Sequence, residues 1–179
     1  MVLVFLANGF EEIEALATVD LLRRAELDVT TVGIGGRLIR GAHGITVVAD
    51  VEESQFSMHG VEAIVLPGGM PGTLNLEKSD VVQGVIDYAV EKGLLIGAIC
   101  AAPSILGHKG LLAGKEATCF PGYEQELTDA VISDKVAVAD GQYITAKGAG
   151  ASIPFALEIV SRLVSSAQAK RLEASLQCR

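Results

Sequence analysis

Short apolar runs bounded by glycine, proline or asparagine alternate along this chain with segments whose apolar residues recur at helical spacing. The apolar runs predict strands at residues 1–6, 29–34, 63–66, 94–99, 117–120, 136–139 and 143–146. Helical spacing predicts helices at residues 11–25, 79–92 and 152–164, a short helix from about residue 102 and a last one from about residue 167. Because strands and helices alternate, the pattern predicts an α/β fold of three layers with a mostly parallel, doubly wound sheet.

Turn and capping residues refine this picture. The pair Asp140-Gly141 is typical of a hairpin turn, and residues 39–50 alternate as a further strand pair that bends near residues 41–44. Ser79 is the expected N-cap of the helix that follows it. No linker, internal repeat or low-complexity stretch divides the sequence, so we expect one domain over residues 1–179.

Composition narrows the possible partners and compartments. The net charge is −8 and the lysines and arginines form no cluster, which argues against nucleic acid and anionic membranes as partners. The longest apolar run, at residues 94–102, is too short to span a bilayer, and residues 1–7 lack the basic region of a signal peptide. Cys100, Cys119 and Cys178 form no C-x-x-C pair, so we expect free thiols, no metal site and a reducing, cytoplasmic location.

Cys100 follows the most hydrophobic predicted strand and precedes a predicted helix. Small residues surround it, and Pro103 suits a first helical turn. In open α/β sheets, ligands bind at the carboxyl ends of the strands, and the free N–H groups of a helix N-terminus lower the pKa of a thiol. The layout therefore favours a nucleophilic cysteine on a tight turn, with a buried structural cysteine as the alternative.

A second predicted strand ends in Pro67, Gly68 and Gly69. If this strand neighbours the one before Cys100, the N–H groups of the two glycines could stabilise an oxyanion beside the thiol. An ordinary glycine-rich turn is the alternative. Neither this run nor residues 33–36 completes a phosphate-binding loop or a dinucleotide fingerprint.

A hydrolytic cysteine usually requires a histidine base. His59 and His108 are expected in exposed loops or helix ends, whereas His43, in a loop between strands, could border the site. No histidine is adjacent to Cys100 and no His-x-Glu pair occurs late in the chain, which disfavours an ordinary Cys–His–acid hydrolase. Glu14, near the start of the first helix, can instead reach the edge of the sheet where Cys100 lies. Because a carboxylate would repel a thiolate, Glu14 must be protonated to donate a hydrogen bond to sulfur, and burial would raise its pKa accordingly.

Four segments together resemble the ThiJ/PfpI superfamily: NGFEEIE at residues 8–14, VLPGG at 65–69, AICAAP at 98–103 and KGAG at 147–150. The similarity extends over nearly the whole chain, in order, and points to the branch of the Parkinsonism-associated deglycase and its bacterial YajL-like relatives. The resemblance implies a single domain similar to class I glutamine amidotransferases, a flavodoxin-like sandwich and a homodimer. It also implies an oxidation-sensitive cysteine in a site without cofactor or metal.

The resemblance also implies roles for individual residues. Glu14 would hydrogen-bond the reactive sulfur, and Gly69 and Ala101 would present backbone N–H groups near it. Arg24 and His43 would lie beside the pocket, at the edge of a dimer.

Three positions near the cysteine qualify the resemblance. Phe120 precedes Pro121 where animal members carry histidine, which argues against a mechanism that needs that histidine. Ala101 follows Cys100 where the intracellular peptidase branch carries histidine, which argues against peptidase activity. Cys119 would lie close to the site, as a plain strand residue or as a thiol that resolves oxidised Cys100.

The main functional hypothesis is a cofactor-independent glyoxalase or protein deglycase. Cys100 would attack the aldehyde of methylglyoxal or glyoxal, or an early adduct on a glycated protein, and Glu14 would shuttle protons. An alternative is an oxidation-sensing stress protein or chaperone whose Cys100 becomes a sulfinate. A weaker alternative is thiamine-precursor (thiazole phosphate) biosynthesis, a historical label of the family that no phosphate loop supports here.

Overall fold

The computed structural model describes residues 1–177, and Cys178 lies outside the described residues. In chain order the strands are β1 (Val2–Leu6), β2 (Val29–Gly33), β3 (Leu38–Arg40), β4 (Thr46–Val48), β5 (Val51–Glu52), β6 (Ala63–Leu66), β7 (Leu95–Ile99), β8 (Glu116–Ala117), β9 (Val131–Ile132), β10 (Ala137–Asp140) and β11 (Tyr143–Ala146). The helices are α1 (Glu12–Arg24), α2 (Gly72–Lys78), α3 (Asp80–Lys92), α4 (Pro103–His108), α5 (Ser152–Leu163) and α6 (Ser166–Ser175). Short 3-10 turns lie at Glu124–Glu126 and Ala149–Ala151.

Seven strands form the central sheet, in the order β10-β11-β7-β6-β1-β2-β5. Every neighbouring pair in it is parallel except the β10–β11 hairpin. The predicted α/β fold with a mostly parallel sheet is therefore confirmed. The carboxyl ends of β1, β6, β7 and β11 lie side by side at one edge, where ligands bind in folds of this type.

Both faces of the sheet are buried, because successive side chains of a strand point to opposite sides. In β1, Val2, Val4 and Leu6 pack in one core cluster, whereas Leu3 and Phe5 pack in the other. The first cluster includes the apolar faces of α1, α5 and α6, and the second includes those of α2, α3 and α4. This two-sided burial explains why the strands appear in the sequence as continuous apolar runs.

Several local predictions are confirmed. β3 and β4 form the antiparallel pair expected within residues 39–50, and Asp140 and Gly141 lie at the turn between β10 and β11. Ser79 caps α3, since its side chain accepts a hydrogen bond from the Val82 N–H at 3.3 Å.

The strand predicted at residues 117–120 is shorter in the structure, where β8 ends at residue 117. Beyond it the backbone bonds elsewhere: the Thr118 N–H donates to Thr145 Oγ1 at 2.9 Å, and the Phe120 N–H donates to Cys100 O at 2.8 Å. The glycine-rich segment after β6 leads directly into a helix, α2, which the sequence pattern did not predict. Within residues 1–177, no helix has both the length and the apolar character needed to cross a bilayer.

Candidate active site

Cys100 occupies the sharp turn between β7 and α4. Its φ of 66° lies in the left-handed region, which residues with a side chain rarely adopt and which is common at functional sites. Two backbone hydrogen bonds hold the turn, from the Cys100 N–H to Ala146 O at 2.9 Å and from the Phe120 N–H to Cys100 O at 2.8 Å. Pro103 opens α4, where its missing N–H leaves no bond unmade. The turn therefore places the cysteine at the carboxyl edge of the sheet.

Glu14 lies in the first turn of α1 and is 1% exposed. Its Oε2 accepts a hydrogen bond from the Gly68 N–H at 2.9 Å, and the Cys100 side chain lies close enough to the carboxyl group to influence its pKa. Oε1 is buried and has no hydrogen-bond partner within residues 1–177, so this oxygen is available to a group that enters the site. The structure thus brings together the two residues proposed for catalysis.

Gly68 allows this approach because it has no side chain. A Cβ at this position would lie 2.6 Å from both Cys100 Cβ and Glu14 Oε2, far inside contact distance. The next residue, Gly69, has a φ of 91°, and a Cβ there would lie 2.3 Å from the backbone nitrogen of Glu11. The two glycines therefore have a steric role in building the site. The Gly68 N–H is engaged by Glu14 Oε2 and not by an oxyanion, which differs from the expected donor role, so that role stays a prediction for Gly69 and Ala101.

The pKa values of the Cys100 thiol and the Glu14 carboxyl group are both raised, and each group influences the other. Burial raises the pKa of Glu14 to about 7, and the charge of Glu11 acts in the same direction. Burial and the charge of Glu14 raise the pKa of Cys100 to about 12, although the backbone N–H groups of Ala101 and Gly69 lower it. The pair therefore loses its first proton near pH 7 and its second near pH 12, and carries one negative charge in between.

A lowered pKa of the thiol, expected from the helix N-terminus alone, is therefore wrong for Cys100 as a single group. Burial and the neighbouring carboxylate outweigh the two N–H groups that favour the thiolate. The sulfur is ionised only while the one remaining proton of the pair resides on Glu14. This arrangement makes the carboxyl group the proton partner of the thiol.

A cavity of about 200 Å³ opens onto the sulfur. It is lined by Gly69, Met70, Cys100, Ala101, Phe120 and Tyr123. Sequence reasoning missed Met70 and Tyr123, although each is close in the chain to a residue that it named. Met70 directly follows Gly69, and Tyr123 closes a turn with Phe120 through a 3.0 Å bond from its N–H to the Phe120 carbonyl. The segments that follow β6, β7 and β8 thus form the cavity wall.

The other named residues do not line this cavity. Arg24 lies ten residues along α1 from Glu14, about 15 Å away at 1.5 Å per residue, and pairs with Asp20 at 2.6 Å. Pro121 is exposed. Cys119 packs in the core cluster of α3 and α4, and burial raises its pKa to about 11, which is typical of an unreactive thiol. A role for Cys119 as resolving thiol stays a prediction.

His43 belongs to a polar group next to the start of α1. Glu11, Glu12 and His43 place possible ligand atoms within 4.8 Å of one another, so they could hold a metal ion. However, Glu12 Oε1 already accepts the His43 N–H at 2.8 Å, and Oε2 lies 3.0 Å from His43 Nδ1. The hydrogen bond to Glu12 also raises the pKa of the His43 imidazole. Hydrogen bonding therefore satisfies the buried carboxylate of Glu12 without a cation.

Comparison with known proteins points to one family. The model of the DJ-1/PfpI family matches residues 1–162. Protein dj-1beta of Drosophila melanogaster is 33% identical over 177 residues, which cover 97% of this chain and 95% of that protein. The Caenorhabditis elegans protein named glutathione-independent glyoxalase DJR-1.2 is 35% identical over 156 residues, covering 86% of this chain and 82% of that protein.

A solved structure shows the same architecture. The crystal structure of a cysteine-to-alanine mutant of a DJ-1 superfamily protein from Salmonella typhimurium matches with a TM-score of 0.93 and 35% identity. The match covers 98% of this chain and 97% of that one. The expected flavodoxin-like arrangement of layers is therefore confirmed.

Proposed function

Because the chain belongs to the DJ-1/PfpI family, we propose that it is a cysteine-dependent, cofactor-independent glyoxalase that converts methylglyoxal or glyoxal to a hydroxy acid. The observation that supports the proposal most directly is that the side chains of Cys100 and Glu14 lie next to each other, on either side of Gly68. A relative named as a glutathione-independent glyoxalase supports this class of reaction. Early adducts of the same dicarbonyls on protein side chains are a second proposed substrate, which would make the protein a deglycase.

The proposed reaction starts from the singly charged pair, with its proton on Glu14 and its charge on sulfur. The Cys100 thiolate attacks the aldehyde carbon of methylglyoxal, and the aldehyde oxygen takes the Glu14 proton to give a hemithioacetal. The Glu14 carboxylate then moves the hydrogen of that carbon to the neighbouring carbon through an enediol. Water hydrolyses the resulting lactoyl thioester, which releases lactic acid and restores Cys100. The sum is one methylglyoxal and one water to one lactic acid.

The walls of the cavity suit this chemistry. The N–H groups of Gly69 and Ala101 lower the pKa of the Cys100 thiol, and in the proposed reaction they would also favour negative charge on an oxygen bound beside it. Phe120 and Met70 supply apolar surface around a small opening. A volume of about 200 Å³ accommodates a three-carbon dicarbonyl, or the end of one modified side chain, but not a stretch of folded polypeptide.

Lactate formation from methylglyoxal without glutathione tests the proposal. We expect Cys100→Ser and Glu14→Gln each to lower the rate by about 10²-fold or more. The first substitution removes the nucleophile, and the second removes the group that carries the proton. Cys119→Ser is the matched control, since it removes a buried thiol outside the cavity, and should retain the wild-type rate. Equal rates for wild type and Cys100→Ser would refute the proposal.

An oxidation-sensing role is the second candidate, and a difference in exposure between two thiols favours it. Cys100 is partly exposed and faces a cavity, whereas Cys119 is 3% exposed. A sulfinate on Cys100 would accept hydrogen bonds from a protonated Glu14 and from the Gly69 and Ala101 N–H groups. After mild peroxide, mass spectrometry should find sulfinate on Cys100; equal modification of Cys100, Cys119 and Cys178 would contradict this role.

We also propose that the protein acts as a homodimer through the surface beside α1. Ile13, Leu38, Ile45 and Val48 are each more than half exposed. They are neighbours, because the Ile45 N–H donates to Glu12 on α1, next to Ile13, and β3 and β4 form one hairpin. Light scattering after gel filtration should give the mass of a dimer for wild type and of a monomer for Ile13→Lys; a wild-type monomer would contradict the proposal.

A further inference from the structure

A second group of titratable side chains lies next to the thiol cavity. The imidazole of His108, the last residue of α4, contacts two carboxylates: Nδ1 lies 2.5 Å from Glu77 Oε1, and Nε2 lies 2.9 Å from Glu126 Oε2. Only a protonated imidazole has an N–H on both nitrogens, so only the cation can donate to both carboxylates at once. We call these three residues the His108 bridge.

The His108 bridge joins the two segments that carry the walls of the thiol cavity. Glu77 lies on α2, which begins two residues after Met70, and Glu126 ends the 3-10 turn that directly follows Tyr123. Met70 and Tyr123 line both the thiol cavity and a neighbouring cavity of about 620 Å³ that also contains His108, Glu77 and Glu126. His108 itself is on the helix that begins after Cys100.

From this geometry we propose that His108 is a positioning residue, which sets the width of the thiol cavity by holding the Met70 and Tyr123 segments to α4. When the ring is a cation, both segments are held. When it is neutral, it retains one N–H, so one carboxylate is released and one wall of the cavity is free to move.

The charged residues next to the His108 bridge in the chain bind partners outside it. Lys109 pairs with Asp87 on α3 at 2.8 Å, and Glu124, in the same 3-10 turn as Glu126, accepts a hydrogen bond from the Gly122 N–H at 2.7 Å. Hydrogen bonds from the ring to Glu77 and then to Glu126 raise the pKa of His108 above its ordinary value. The cation therefore persists to a higher pH than in an ordinary histidine, and the released form appears as the pH rises through that raised value.

Alkylation of Cys100 by a small and a bulky reagent tests the proposal without assuming the glyoxalase reaction. The rates with iodoacetamide and with N-phenylmaleimide are measured at Cys100 by peptide mass spectrometry across the pH range in which NMR shows His108 to titrate. Both reagents require the same thiolate, so the bulky-to-small ratio cancels the ionisation of the sulfur and reports access. We expect this ratio to rise severalfold in wild type as His108 loses its proton.

Two variants and a control separate this role from a merely structural one. In His108→Ala the ratio should be high at every pH. In Glu126→Gln it should be low at every pH, because the amide can accept from the cation or donate to the neutral ring. Glu124→Gln is the control and should show the same rise in the ratio with pH (the step) as wild type. A wild-type ratio that does not change as His108 titrates, or a Glu126→Gln variant that keeps the step, would overturn the proposal.

Discussion

Replacing Glu14 by Gln should stabilise the protein at neutral and alkaline pH, although it removes a residue proposed to be catalytic. The wild-type carboxyl group is buried, and its pKa is raised from 4.5 to about 7. Glutamine resembles the protonated acid, because its oxygen can accept the Gly68 N–H while its amide donates to the Cys100 sulfur. The substitution therefore removes the cost of ionising a buried carboxyl group and retains its contacts.

The size and sign of the effect follow from the two pKa values. A carboxyl group whose pKa is raised on folding contributes its full stability below the unfolded value near 4.5 and loses it as the pH rises through the folded value near 7. Because one pKa unit corresponds to about 1.4 kcal/mol, the raised pKa lowers the free energy of unfolding above pH 7 by about 3 kcal/mol. Relative to wild type, Glu14→Gln should therefore be equally stable near pH 4 and about 3 kcal/mol more stable at pH 8.

Urea unfolding at pH 4, 6 and 8 measures this difference directly. Glu173→Gln is the matched control, because it removes the same charge from an exposed position on α6, and should show no comparable change with pH. A Glu14→Gln variant whose stability relative to wild type does not increase between pH 4 and pH 8 would refute the assignment of a raised pKa to Glu14.

Three further substitutions test the construction of the site. Gly68→Ala should lower both lactate formation and the free energy of unfolding, the latter by about 1–3 kcal/mol in urea titrations, because its Cβ would clash with Cys100 and Glu14; an active, fully stable variant would contradict the steric role of Gly68. Phe120→Ala should raise kcat/KM for phenylglyoxal relative to methylglyoxal, since it widens the cavity; an unchanged ratio would place Phe120 outside the substrate path. Cys119→Ala should leave the yield of Cys100 sulfinate after peroxide unchanged, whereas a changed yield would favour a resolving role.

The sequence could predict the position of Cys100 because that position depends on local pattern. A continuous apolar strand followed by small residues and Pro103 specifies a tight strand-to-helix turn, and the order of elements places it at the carboxyl edge of a parallel sheet. The approach of Glu14 was also predictable in outline, since α1 begins at the same edge. What the pattern did not show is that the side-chain position of Gly68 must be empty for the two groups to meet.

Loop paths and burial explain what the sequence could not predict. Met70 and Tyr123 reach the cavity only through the paths of the segments after β6 and β8, which no periodicity describes. The pKa of Cys100 depends on how much water the surrounding layers exclude, a property of the packed structure rather than of the helix start. The His108 bridge likewise joins residues separated by 31 and 18 positions in the chain.

The most direct test of the central claim is the pH dependence of Cys100 alkylation by iodoacetamide between pH 5 and 9, in wild type and in Glu14→Gln. If Glu14 and Cys100 share one proton, the wild-type rate should rise with an inflection near pH 7, where the pair first becomes charged, and Glu14→Gln should lose that inflection. An inflection near pH 7 that persists in Glu14→Gln would show that the sulfur ionises independently of the carboxyl group.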